Sequence, residues 1–356
     1  MQYDNSWQLL VHPNEFYLLS VTVKQTTLNE TWCLYDPVDW IFTGIPVYIL
    51  IISVLGIFLN VFVLMVFWLH KKACTVAEIY LSNLAAADLF LILPFWAVNV
   101  QKRYDWNLSE TLCKLVPFSI SMNADCSIYI LVLVSIDRYL ALVHPLTHGR
   151  MRSPFYAKLA CVVVWAVCFL LNVPVLIYRE VEHYPEQNFS ICFLSYSDQT
   201  DKVVSILNVI LKFVIPIFIM SFCTLKIIQA VRSRLRERFS TQGKEQKATT
   251  LILAVLLAFL ICWVPFHVFK ILDLLSRYNI VGGCEFRLGW FQQIFIFLAF
   301  FNSVLNPILY VCVGRNFRRK VKETFSQISN RRKSTFSLLT TCANLSRSVK
   351  TENATS

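Results

Sequence analysis

Between Trp40 and Leu69 the chain carries no Asp, Glu, Lys or Arg and no full turn of polar residues. About 20 apolar residues in a helix suffice to cross the hydrocarbon layer, so this run predicts a membrane span. Similar runs follow at roughly 77–100, 112–141, 158–178, 203–228, 248–273 and 288–313. Seven spans predict an all-α bundle with its two termini on opposite sides. The charge composition agrees. Only 15% of residues are charged, against about 25% in a soluble domain. A net charge of +11 would suggest nucleic acid in a soluble chain. In a chain this apolar it points instead to basic cytosolic loops and to the bilayer, with no nucleic-acid partner.

Lys71 and Lys72, Arg150, Arg152 and Lys158, Arg232 to Lys247, and Arg315 to Lys322 fall in alternate connections and after the last span. Asp4, Glu15, Glu30, Asp36, Asp39, Glu180, Glu182 and Glu186 lie on the other side. The positive-inside rule therefore predicts an extracellular N-terminus and a cytosolic C-terminus. No basic segment followed by an apolar run precedes residue 40, so no cleaved signal peptide is expected. The expected organisation is an extracellular segment over 1–39 and the bundle over 40–313. An amphipathic juxtamembrane helix over 314–328 and a disordered cytosolic tail over 329–356 complete it. The sequons at Asn29 and Asn188 fall outside and are expected to carry glycans.

Twelve cysteines divide by compartment. Cys33, Cys113, Cys192 and Cys284 face the oxidising side, which leaves three pairings open. No CxxC or HExxH spacing occurs, so neither a metal site, a redox site nor an enzyme is expected.

A charge at the bilayer centre costs about 2.5–3.5 kcal/mol even on the lenient insertion scale. Each such charge asks for a partner. Asp88 lies midway along the second span, with Asn60, Asn123, Ser127, Asn302, Ser303 and Asn306 at similar depth. That set suits either an oxygen nest for a sodium ion or an ion-free hydrogen-bond network. Composition leaves both open. Asp137-Arg138-Tyr139 closes the third span, where Arg138 can pair with Asp137 or with Glu245 at the foot of the sixth. Pro94, Pro174, Pro216, Pro265 and Pro307 each remove a backbone hydrogen bond within a span, which predicts kinks, a cavity and movable halves. A receptor and a transporter both fit that description. A transporter would show internal repeats, and none is found between the halves.

Taken together, these motifs resemble the rhodopsin-like family of G-protein-coupled receptors over residues 44 to 325. They are Gly56 with Asn60, Leu84 with Asp88, Asp137-Arg138-Tyr139, Trp165, Cys262-Trp263-Val264-Pro265 and Asn306-Pro307-Ile308-Leu309-Tyr310. Phe317 looks like the start of the family's eighth helix. Thr224 departs from the family's usual Tyr. Cys74 to Leu81, Leu93 to Ala97, Asp105-Trp106 and Val134 to Val143 look like the bradykinin (kinin) receptors, and type 2 more than type 1. Ser121 stands where type 1 carries a Lys, which implies a preference for the intact peptide. An angiotensin-like or chemokine receptor would share the fold and the four outer cysteines and differ in ligand.

The resemblance implies the pairings Cys113–Cys192 and Cys33–Cys284. It implies that Arg179 meets the peptide's carboxyl end and that Asp273 meets its N-terminal Arg. A second family acid falls on Gly289, where this chain departs. Trp96, Phe266 and Gln293 match pocket positions, and Trp263 matches the residue that relays ligand contact to the sixth helix. The implied partners are a heterotrimeric G protein of the Gq class or of Gi, with phospholipase C and calcium downstream, and receptor kinases with arrestin. Leu146 is the matching knob for the G protein. Ser334, Thr335, Ser337, Thr340 and Thr341 suit phosphorylation. Phe317, Val321 and Phe325, among Arg318, Arg319, Lys320 and Lys322, suit a helix lying on an anionic leaflet. The localisation implied is the plasma membrane.

By the same resemblance, Asp125, one turn below Ser121, stands where type-2 kinin receptors carry no acid, and Lys212, four residues before Pro216, stands where Gly is usual. The rhodopsin-like bundle would set them face to face, which predicts a buried Asp125–Lys212 salt bridge beneath the pocket.

Overall fold

The computed structural model describes residues 11–12, 20–21, 40–70, 75–90, 93–144, 153–185, 188–237, 243–277, 285–312, 317–327 and 329. Asn29, Cys33, Leu146, Cys284 and the tail hydroxyls lie outside them, as do the side chains of Glu245, Asp273 and Gln293. Among the described residues, seven helices are long and apolar enough to cross a membrane.

The first span is Trp40–Leu69. The second is a pair of helices, Val76–Leu89 and Leu93–Gln101. Thr75 opens it with a capping box: its side chain accepts from the Glu78 backbone, and Glu78 reaches back to the Thr75 N–H. The third span, Glu110–Val143, starts at the N-cap Ser109. Pro154–Tyr178 forms the fourth. The fifth is Asp198–Val209, a π turn over Ile210–Val214, and Ile215–Glu237. Gly243–Arg277 and Glu285–Cys312 are the sixth and seventh. A short helix follows over 317–327, inside the range expected for the juxtamembrane helix.

Two of the five prolines coincide with breaks in regular helix. Pro94 opens the second half of the second span. The π turn ends just before Pro216, and the Ile215 N–H donates to Ile210 O, five residues back. Pro216 cannot donate to the carbonyl four residues before it, so the wider turn absorbs the mismatch. Pro174, Pro265 and Pro307 lie inside uninterrupted helices.

The third span is the axis of the bundle, packing against the second, fourth, fifth and sixth. Its buried face runs from Cys113 to Arg138. Phe58, Phe155, Leu170 and Phe218 point outward and are about two-thirds or more exposed. In water such a surface would associate; in a bilayer it is solvated by lipid.

Beyond the helices, β1 (Val11–His12) pairs with β2 (Ser20–Val21) in a small antiparallel ladder. A second hairpin, β3 (Arg179–Tyr184) with β4 (Phe189–Leu194), joins the fourth and fifth spans.

Candidate functional site

The hairpin closes one end of the bundle. Cys192 on β4 is disulfide-bonded to Cys113 on the third span. Ser190 adds two contacts to the loop after the second span: its carbonyl accepts from the Trp106 N–H at 2.8 Å, and its own N–H donates to Asp105 Oδ1 at 3.0 Å. Asn188, whose sequon lies at the hairpin tip, is exposed and adopts φ 47°, a conformation Asn tolerates. Tyr104, beneath this loop, is buried, and burial pushes its phenol pKa up. Arg179, the first hairpin residue, is buried with Nη1 3.6 Å from Cys192 Sγ.

Beneath the hairpin lies a small cleft, open at its mouth. Ser121, Arg179, Asp201, Asn208, Lys212 and Lys270 supply its polar wall, with Pro117, Leu171, Pro174 and Val204 among the apolar residues. Ser121 and Arg179 of the expected ligand contacts therefore share one cavity. Trp96 and Phe266 are not on this wall. Both are fully buried, Trp96 against Tyr104 and Phe266 edge-on to Trp263.

At the foot of the cleft, Lys212 Nζ lies 2.7 Å from Asp125 Oδ2. Both side chains are at most 5% exposed. Asn172 of the fourth span joins them, donating from Nδ2 to Asp125 Oδ2 at 2.7 Å and accepting from Lys212 at Oδ1 at 3.0 Å. Ser121 Oγ accepts a third Lys212 bond at 3.3 Å. Sequence reasoning named the two charges but not Asn172, whose signal was a lone amide in an apolar run. The Tyr129 hydroxyl donates to Leu211 O at 2.9 Å, tying the π turn to the third span.

Deeper in the bundle, Asp88 gathers amides and a hydroxyl. Ser303 Oγ and Asn123 Nδ2 donate to Oδ1 at 2.7 and 3.0 Å, and Asn306 Nδ2 donates to Oδ2 at 3.3 Å. Asn60 instead donates to the backbone carbonyls of Gly56 and Ser303. Ser127 Oγ, Asn302 Oδ1 and Asn306 Oδ1 are buried without a hydrogen-bond partner. Buried oxygens without a partner suit the ligand chemistry of a small hard cation, and of these three residues Asn306 is the one bonded to Asp88.

At the other end of the third span, Arg138 Nη2 lies 2.7 Å from Asp137 Oδ2, both nearly buried. Tyr139 bonds His144 Nε2 at 3.1 Å. Trp263 stacks on Phe259, and Tyr310 and Pro307 lie on the seventh span with Tyr310 fully buried.

The helix at 317–327 turns a second face toward the protein, distinct from the Phe317, Val321, Phe325 row. Phe317, Lys320 and Thr324 are its buried residues, with Val321 half-buried, whereas Phe325 is 61% exposed. The buried face thus follows an i, i+3, i+4, i+7 stripe rather than every fourth residue. Lys320 belongs to the protein face, because Glu78 sits opposite it.

The sequence pattern described as "7 transmembrane receptor (rhodopsin family)" matches residues 59–310. The chain is 42% identical to the B2 bradykinin receptor of Homo sapiens over 324 residues, covering 87% of this chain and 83% of that protein. It is 42% identical to the B2 bradykinin receptor of Cavia porcellus over 322 residues, 86% of each chain. The B1 bradykinin receptor of Tupaia minor is 38% identical over 316 residues, 86% of this chain and 90% of that protein.

Proposed function

The chain belongs to the rhodopsin family of seven-transmembrane receptors, which makes it a multi-pass membrane protein and a receptor rather than an enzyme; on that premise we propose that it binds bradykinin-like peptides. The observation that carries this reading is the 42% identity to B2 bradykinin receptors over most of both chains. A kinin has Arg at both ends and a terminal carboxylate. Arg179, on the cleft wall, suits the carboxylate, and Asp273, on the sixth span, suits the N-terminal guanidinium. Ser121, Trp96, Phe266 and Gln293 complete the proposed contact set.

Signalling follows from movement of the sixth helix, relayed by Trp263 and permitted by Asn306, Pro307 and Tyr310. It parts Arg138 from Glu245 and opens a cleft for a G protein of the Gq class, with Leu146 as the docking knob. Phospholipase C and calcium release lie downstream, and Gi is a secondary partner. Phosphorylation of the tail by receptor kinases recruits arrestin. Asp88, with Asn123 and Ser127, holds a sodium ion that favours the resting state. The receptor sits in the plasma membrane with its N-terminus outside, glycosylated at Asn29 and Asn188. Cys33–Cys284 supplies a second disulfide.

Calcium release in transfected cells, measured against kinin, angiotensin and chemokine peptides, tests the reading. A response to kinin alone is expected; a response only to another peptide overturns it. Within the site, Asp273→Asn that leaves kinin affinity within about twofold would remove Asp273 from the contact set.

A further inference from the structure

Lys212 is both a wall residue of the cleft and the partner of a carboxylate that is not on the wall. An ammonium has three donors. Two point away from the cleft, to Asp125 Oδ2 at 2.7 Å and Asn172 Oδ1 at 3.0 Å. The third and longest, 3.3 Å, goes to the neutral hydroxyl of Ser121, itself a wall residue. Among the described residues, Arg179, Lys270 and Asp201 are the other charged side chains of that wall.

We infer that Lys212 is a specificity-determining residue of the ligand site: it recognises one carboxylate at the buried end of the ligand, with Asp125 as its counter-ion when no ligand is bound. The inference rests on the peptide reading above and deepens it. A carboxylate entering beside Ser121 exchanges a long neutral contact for a charge-assisted hydrogen bond. Lys212 keeps Asp125, so neither charge is stranded. The wall cations Arg179 and Lys270 offset the desolvation of the incoming anion. A carboxamide of the same shape gains none of this.

The test compares one kinin ending in a free carboxylate with the same kinin ending in a carboxamide, on membranes carrying the full-length receptor. The readout is the ratio of the two affinities, which a purely structural role would not move, since it would weaken both ligands alike. In the Asp125→Leu, Lys212→Met double variant, which strands no charge, the preference for the acid is expected to fall by about tenfold or more, the worth of one charge-assisted bond. Asp125→Asn alone frees the ammonium, so acid affinity is expected to rise severalfold while amide affinity holds. A double variant whose acid-to-amide ratio stays within about twofold of the wild type overturns the inference, as does an Asp125→Asn receptor that loses both ligands equally.

A second arm does not depend on the kinin. N-acetylphenylalanine and its amide are compared as thermal stabilisers of the purified receptor. Greater protection by the acid in the wild type but not in the double variant supports the inference, and equal protection in both receptors overturns it. If the wild type binds neither kinin, the peptide reading fails and this arm alone decides Lys212.

Discussion

Lys320 Nζ lies 2.9 Å from Glu78 Oε2, across 242 positions of sequence, with both side chains no more than 8% exposed. The same Glu78 carboxylate accepts from the Thr75 N–H at 2.8 Å, so one acid both caps the second span and holds the helix at 317–327. Lys320 is also 6.0 Å from the Phe67 ring centroid. Removing one partner of a buried pair typically costs about 3–5 kcal/mol, because the other charge is stranded. Glu78→Gln and Lys320→Met are each expected to lower the unfolding midpoint of the purified receptor clearly. Glu78→Leu combined with Lys320→Met should recover much of the loss.

Glu323 serves as the internal contrast. It meets His70 Nε2 at 3.3 Å and Arg319 at 3.7 Å, but its own side chain is 49% exposed. Exposed pairs contribute roughly 0–1 kcal/mol. Glu323→Gln should therefore shift the midpoint far less than Glu78→Gln, and equal shifts would contradict the assignment of the anchor to Glu78.

Asn172 makes the charge pair at the foot of the cleft a three-helix junction, bridging Asp125 and Lys212 from the fourth span. Asn172→Leu removes a donor and an acceptor from a site with no exposed surface. Leaving such groups unsatisfied costs about 1–3 kcal/mol, more where they are charged. Surface expression of Asn172→Leu is expected to fall about as far as that of Lys212→Met. Adding Asn172→Leu to the Asp125→Leu, Lys212→Met receptor should cost little, because the groups it served are gone. Additive losses, read by flow cytometry of a tagged receptor, would contradict the junction.

The spans were legible because the bilayer imposes a length and an apolarity on every crossing helix. Asp125 and Lys212 were legible for the same reason: a charge at that depth stands out against Leu, Ile and Val. Asn172 did not stand out, because amides are common in such spans and nothing local distinguishes a bridging one from a structural one. Lys320 reads in sequence as one more cation around Phe317, Val321 and Phe325, and its burial against Glu78 is not visible there. Reading Phe317, Lys320, Val321 and Thr324 as one face requires knowing that Glu78 lies opposite, and a single sequence does not carry that pairing. The π turn was also hidden. Pro216 signals a missing bond but not whether a kink or a wider turn absorbs it.

Cys113 and Cys192 are 79 residues apart in sequence, and their disulfide fastens the hairpin that carries Arg179 over the cleft. A native disulfide typically contributes about 2–5 kcal/mol. Its larger effect here should be on ligand affinity, since Arg179 sits 13 positions from Cys192 and against its sulfur. Cys192→Ser is expected to lower kinin affinity by about tenfold or more. The purified variant should also unfold at a lower temperature. Affinity unchanged despite a lower midpoint would separate the hairpin's stabilising role from any role in the site.

Asp88 offers the remaining test, because it is buried among amides and a hydroxyl, and other buried oxygens of the third and seventh spans have no partner. Its two oxygens already take Ser303, Asn123 and Asn306, yet Ser127 Oγ, Asn302 Oδ1 and Asn306 Oδ1 remain buried without hydrogen-bond partners. A cation would use those oxygens, whereas an ion-free network would leave them costly. If sodium binds the resting state better, linkage requires that it weaken agonist binding by the same factor. Replacing N-methylglucamine with sodium at constant ionic strength is expected to reduce kinin affinity severalfold in the wild type. Asp88→Asn should abolish that dependence while the receptor still reaches the surface, since Asn can keep bonds to Ser303 and Asn123. A wild-type receptor indifferent to sodium would identify the nest as a hydrogen-bond network alone.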